Sequence, residues 1–242
     1  MRNEPQTNGP SADPEARETM ASVIADRLRR EIIACAFAPE ERLRVRQLAE
    51  RFGVALSPVR EALNRLSSEG LVRQSDLRGF SVMPVSEQDL DELSRTRCWL
   101  NERALRESIA HGDAAWEEGV LIAYHRLSRI DRGPSEQVNE PWEAAHRAFH
   151  RSLIEACGSR WMIAFCEQLF DQADRYRRIG RGARDAQERV HPDEHRAIMD
   201  AAVARDVERA VRLGNEHIMR TTELCRSELP RLVPVRRRRA AG

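Results

Sequence analysis

Hydrophobic positions fall into two regimes along the chain. Up to about residue 85, short helical stripes give way to two alternating runs; beyond it only helical spacing remains. In the first regime Val23, Ile24, Leu28, Ile32 and Ile33 form one stripe, and Pro39 in AFAPEE bars its continuation. RVRQLAERFGV predicts a short helix burying Val45, Leu48, Ala49 and Phe52, closed by Gly53 as a left-handed cap. SPVREALNRLSSEGLV predicts the next, with Ser57 as N-cap and Pro58 at the first helical position. Val59, Ala62, Leu63 and Leu66 face inward there, Arg60, Asn64 and Arg65 outward, and Gly70 ends the helix. LVRQ and FSVMPV read as two strands around the turn SDLRG.

From Glu87 onward the spacing predicts helices over about 87–111, 113–130, 140–157, 159–178, 186–204 and 206–227. Breaks fall at His111-Gly112, Arg132-Gly133-Pro134, Gly158-Ser159 and Gly180-Arg181-Gly182. The expected fold is mainly α: a polar tail over 1–18, a winged helix-turn-helix over 19–85, an all-α bundle over 86–228, and a basic tail over 229–242.

Charge sharpens this division. The net charge is only +1, yet residues 42–78 hold eight arginines against four acids, while 86–235 hold 23 against 27. A basic module ahead of a mildly acidic one points to nucleic acid as a partner of the first. No apolar run approaches the roughly 20 residues that cross a bilayer, the N-terminus lacks a signal-peptide core, and the five cysteines form no CxxC pair. These features suit a cytoplasmic protein with reduced thiols.

In a winged helix-turn-helix the helix opening at Ser57 enters the major groove, its N-terminal end nearest the bases. Arg60 suits bidentate contact with guanine and Asn64 stands on the same face; Arg46 on the preceding helix and Arg78 with Gly79 on the wing suit phosphates or the minor groove. The stretches LAERFGV, SPVREAL, EGLV and RGFSV resemble the N-terminal domain of the GntR family of bacterial transcription regulators, over roughly residues 21–85. The resemblance implies DNA contact by Arg46, Ser57, Pro58 and Arg60, and a homodimer on a short pseudo-palindromic operator. The chain departs from it in two places. The family often has glycines where Cys35 and Glu40 stand, and it usually has an arginine where Leu56 stands.

In the second half, HRAFH places His146 and His150 four residues apart, on one helix face with Leu153 and Cys157. His195 precedes Ile198, Met199 and Ala202, and His217 follows Ala210 and Leu213, each on an inward stripe. One inward histidine is ordinarily a core residue; four from three helices point to a metal, since each unpartnered buried imidazole carries a desolvation cost. Imidazole suits zinc, nickel or copper. WEAAHRAFHRSLIEACGS, EHRAIMDAAVARD and NEHI resemble the metal-site segments of the FCD effector domain, found in the FadR-type branch of the GntR family. That resemblance implies His150, His195 and His217 as ligands of zinc, with nickel as the alternative. His146 stands where the family usually has an aspartate. It also implies a small carboxylate or dicarboxylate effector. Arg97 would take that acid's free end, although a surface arginine fits the pattern as well. The family's glutamate four residues on is Asn101 here. Tyr176, on a stripe with Leu169 and Ala173, fits either a donor to the effector or a core tyrosine.

The expected function is a transcription regulator, a repressor by the family's habit, answering to a carboxylate at a metal site. The alternatives are a metal-dependent enzyme and a direct metal sensor. Arg147 occupies the place a catalytic glutamate would take in H-E-x-x-H, which leaves an enzyme without an obvious general base.

Overall fold

A computed structural model describes residues 19–75, 79–133, 139–179 and 192–232. The expected tail over 1–18, the wing tip with Arg78, the break at Gly180-Arg181-Gly182 and the arginines of 236–239 lie outside the described residues. The head contains α1 (Met20–Ile33), β1 (Arg42–Leu43), α2 (Val45–Phe52), α3 (Leu56–Ser68), β2 (Val72–Ser75) and β3 (Gly79–Val82). The bundle contains α4 (Glu87–His111), α5 (Ala114–Ser128), α6 (Glu140–Ile154), α7 (Arg160–Ile179), α8 (Pro192–Val203) and α9 (Val207–Leu232). No helix among the described residues is long and apolar enough to cross a membrane.

The head packs as its periodicity predicts. Leu28, Ile32, Val59, Leu63, Leu66, Leu71 and Val82 are all nearly inaccessible and form one core. Gly53 closes α2 at φ 66°, in the left-handed region that a Cβ disfavours. The two positions at which the resemblance led us to expect glycine also have positive φ: Cys35 at 61° and Glu40 at 65°. The first turn thus keeps the backbone path of glycine with side chains that fit it poorly, at a cost on the order of 1–2 kcal/mol each.

Three expectations for the head are corrected. Helix α3 starts at Leu56, with Ala55 as an N-cap that makes no side-chain bond. Ser57 and Pro58 therefore sit inside the first turn, not at the cap and first position. The second strand ends at Val82, not Val85: Met83 still donates its N–H to Leu71 O in register with the ladder, but Pro84 has no N–H with which to continue it. A third strand, β1, joins the sheet in the order β1-β3-β2, all antiparallel. Two residues are too few to show alternation; Leu43 is drawn in by pairing with Phe80.

The bundle helices begin at side-chain caps: Ser86 for α4, Asp113 for α5 and Asn139 for α6 each accept a first-turn N–H. Ser159 does the same for Met162 N at the head of α7. The core, with Ala104, Val120, Phe149, Leu153, Ile198 and Ala202 at its centre, runs between α4, α5, α6, α8 and α9. A smaller cluster of Val85, Leu90, Tyr176, Cys225 and Leu229 lies below the wing. Helix α9 continues to Leu232, so residues 229–232 are helical where a tail was expected.

Candidate metal centre and DNA-reading surface

The inward stripes of α6, α8 and α9 converge at one point. His146 and His150 of α6, His195 of α8 and His217 of α9 each offer a ring nitrogen, and the four nitrogens lie within 4.8 Å of one another. His146 Nε2 and His150 Nε2 are 3.1 Å apart. All four rings titrate below the ordinary histidine range. Burial is the main cause, and the neighbouring imidazoles and arginines add to it. His195 is held down to about 3 and His217 to about 4. The rings are therefore neutral at physiological pH, the form in which imidazole binds a metal.

The donor set fits a divalent transition metal. His146 Nδ1 and His195 Nε2 are buried with no protein hydrogen-bond partner, a costly arrangement for a core packed for its own sake. His217 Nδ1 lies 2.8 Å from Glu194 Oε2. A proton on Nδ1, donated to that carboxylate, leaves the His217 Nε2 lone pair for the cluster, a common way of fixing a ligand's tautomer. Glu194 is in turn paired with Arg220. Sequence reasoning missed Glu194, because its partner comes from another helix and no local spacing announces it.

The histidines open into a cavity of about 370 Å³. Its wall includes Arg97, Trp142, Phe170, Asp174 and Arg177. Trp142 stacks on His146 with ring centroids 4.6 Å apart, fixing one side of the cluster. Arg177 donates to both Glu143 and Asp174, and all three side chains are at most 7% exposed. Arg97 lines the cavity. Its Nε is buried with no hydrogen-bond partner, and burial draws the guanidinium down to about 10. Asn101 does not answer it: the amide donates to the Arg97 backbone carbonyl at 2.9 Å. The exchange of glutamate for asparagine thus leaves the Arg97 head without a carboxylate across one helical turn.

Tyr176 is placed elsewhere. It packs in the cluster below the wing, donates to Asp89 Oδ2 at 2.5 Å and accepts from Ser86 N at 3.2 Å. Ala173 on the same stripe still lines the cavity, whereas Tyr176, nearly a turn further on, meets the linker.

On the head, Arg46 of α2 and Ser57, Arg60 and Asn64 of α3 are exposed, with Pro58 half-buried beside them. Neighbouring arginines are tied down: Arg51 to Glu31, and Arg65 to Glu61 and Ser22. No such tie holds Arg46, Arg60 or Asn64 among the described residues. Gly79 opens β3 at φ 72°. The face thus presents uncommitted donors around one end of α3, as groove reading requires.

Comparison with known proteins accords with both halves. The model of the bacterial regulatory proteins of the gntR family matches residues 20–82, and that of the FCD domain matches residues 92–220. The HTH-type transcriptional regulator BphR of Paraburkholderia xenovorans is 42% identical over 196 residues, 79% of each chain. The HTH-type transcriptional repressor GlaR of Escherichia coli is 34% identical over 197 residues, 79% of this chain and 89% of that one. The solved structure of E. coli McbR/YncC shares the fold, with a TM-score of 0.73 over 87% of this chain and 99% of that one, at 20% identity.

Proposed function

The chain belongs to the GntR family of bacterial transcription regulators and carries an FCD domain, and from that premise we propose that a small carboxylate bound at the four-histidine centre sets its affinity for operator DNA. The observation that carries the reading is that four convergent neutral imidazoles share one cavity with a half-buried Arg97 whose Nε has no hydrogen-bond partner. His146, His150, His195 and His217 would hold zinc, with nickel as the alternative, and a divalent ion among neutral ligands supplies positive charge for an anion. Arg97 then takes the acid's other end, a role its planar fork performs better than an ammonium would. Trp142 and Phe170 exclude water from the same space. A volume of about 370 Å³ suits a mono- or dicarboxylate of a few carbons.

The regulator acts, in this reading, as a homodimeric repressor that sets two heads on a pseudo-palindrome. Operator titrations at fixed salt, with and without a panel of short dicarboxylates, test the effector. Wild type should shift its operator affinity by roughly 5- to 150-fold with the right acid. Arg97→Ala should keep metal and DNA binding yet lose the shift, and chelation should abolish it too. An undiminished response in both would mean that the acid binds elsewhere.

For the DNA face, Arg60 reads a base, Ser57, Pro58 and Asn64 line its approach, and Arg46 with the wing at Arg78 and Gly79 contacts the backbone. Arg60→Ala should weaken operator binding by ~1–3 kcal/mol and relax sequence preference. Arg46→Ala should cost affinity evenly across sequences and flatten the salt dependence. Unchanged preference in the Arg60 variant, measured by competition with scrambled DNA, would contradict this placement of the recognition helix.

A further inference from the structure

The DNA-reading helix is held at its rear end by the bundle. Helix α3 closes at Glu69, and the carbonyl of that residue accepts two side-chain bonds from α7: from Gln168 Nε2 at 3.2 Å and from Gln172 Nε2 at 2.9 Å. The Glu69 carboxylate is taken by Arg29 of α1, with two bonds of 2.7 Å. One residue therefore joins α3, α1 and α7. Gly70 follows at φ 75°, a left-handed backbone that a Cβ disfavours, and Gln172 Nε2 would stand in ordinary contact, 3.4 Å, with a Cβ built there. Further along α7, Arg175 donates to the Met83 carbonyl and Tyr176 holds Ser86 and Asp89, so the linker is gripped by the same helix.

The other face of α7 belongs to the cavity. Phe170, Ala173, Asp174 and Arg177 line the space shared with the four histidines. Residues 168, 172 and 175 repeat on one helical face, and 170, 173 and 177 on another, so a single rigid element touches both sites. A lateral link reinforces it. Arg147, between His146 and His150 on α6, pairs with Asp171 of α7. Asp171 in turn lines a gap of about 250 Å³ between head and bundle, together with Arg29, Glu69, Gln168 and Gln172. The side-chain bonds across this gap, from Gln168 and Gln172 to Glu69, are polar and directional, so they respond to a small movement of α7. Helix α3 has 13 residues and is about 20 Å long, so a small tilt at Glu69 is magnified at the end that carries Arg60.

We propose that Gln168 and Gln172 are positioning residues of the recognition helix, which transmit the state of the histidine cavity along α7 to the Glu69 carbonyl. The proposal rests on reading that cavity as a metal site, and zinc alone is the probe. The experiment is hydrogen exchange on the full chain, with Zn²⁺ and with chelator, read at the backbone amides of Glu69, Gly70 and Leu71. These close the end of α3 by bonding to Arg65, Ser67 and Leu66 carbonyls. Zinc stoichiometry is measured by elemental analysis on each sample, and far-UV circular dichroism checks the fold. In wild type, zinc should slow exchange at these amides several-fold. The Gln168→Met/Gln172→Met variant, which keeps side-chain bulk without a donor, should bind zinc fully and lose that response, while amides of α6 stay zinc-sensitive. Asp171→Asn, which weakens only the lateral link, should reduce the response and serves if the double variant does not fold. A full response in the double variant, or none in zinc-loaded wild type, overturns the transmission through α7. Failure of wild type to take up zinc overturns the metal reading first and this proposal with it, and the elemental analysis tells the two failures apart.

Discussion

With a metal held as proposed, alanine at His150, His195 or His217 is expected to release most of it and to remove its stabilisation. The three residues come from α6, α8 and α9, so a single ion held by them would clamp three helices, adding to the Glu194 bonds that already join α8 to α9 at this point. A ligand present at a thousand times its dissociation constant stabilises the folded state by about 4 kcal/mol. For a chain of this size that corresponds to roughly 8–16 °C in Tm. In chelator the same substitutions should cost much less, and His195→Ala least, because the lost Nε2 has no partner to lose. His146→Ala is expected to behave differently. That ring is 6% exposed and stacked on Trp142, so its removal leaves a void whether or not metal is present. Thermal melts with zinc and with chelator, alongside elemental analysis, separate these effects. Full metal occupancy in His195→Ala would sink the site.

Arg177→Met should be nearly as damaging, by ~3–5 kcal/mol, the usual result of breaking a buried ion pair from one side. Its guanidinium joins Glu143 of α6 to Asp174 of α7 beneath Trp142, and both carboxylates are buried. Burial opposes the Asp174 charge, but Arg177 and Arg178 outweigh it and hold the carboxyl below the ordinary aspartate range. A depressed carboxyl contributes stability above its unfolded-state value and loses it as the pH falls through the folded one. The variant raises the Asp174 carboxyl, so its deficit against wild type should be widest near neutrality and narrow as the pH falls toward about 4. Arg178→Met is the milder comparison: it removes one bond to Asp174 but leaves Arg177 on that carboxylate, and its second partner, Glu140, is 66% exposed, where a bond contributes little. Urea titrations across pH measure both. A deficit that widens in acid would show that the arginine matters for packing and not for charge.

Much of the architecture was legible because it rests on short-range periodicity. The stripes of α1 to α3 and of the six bundle helices follow from burial of one face, and the left-handed cap at Gly53 follows from a residue without Cβ. The histidine cluster was legible for the same reason: four polar rings on inward stripes conflict with a dry core unless something binds them. Caps and short strands were harder. Ser57 satisfies the local rule for an N-cap, yet the chain enters α3 two residues earlier, with Ala55 at the cap, and Val59, Leu63 and Leu66 bury in the head's core from either start.

By itself, then, the chain's pattern determined the two halves, the exposed basic face with Arg46 and Arg60, and the convergence of His146, His150, His195 and His217. The tertiary structure alone decided which polar groups answer which. Glu194 meets His217 across two helices, Arg177 is shared by Glu143 and Asp174, and Tyr176 turns from the cavity to the linker. It also decided that the rear of the recognition helix rests on Gln168 and Gln172, residues that stand about a hundred positions away and carry no motif. The physical reason is common to all of these. Burial of apolar faces is a sum over many positions and leaves a period in the sequence. A hydrogen bond between distant residues depends on one distance and one angle, which exist only once the helices have packed.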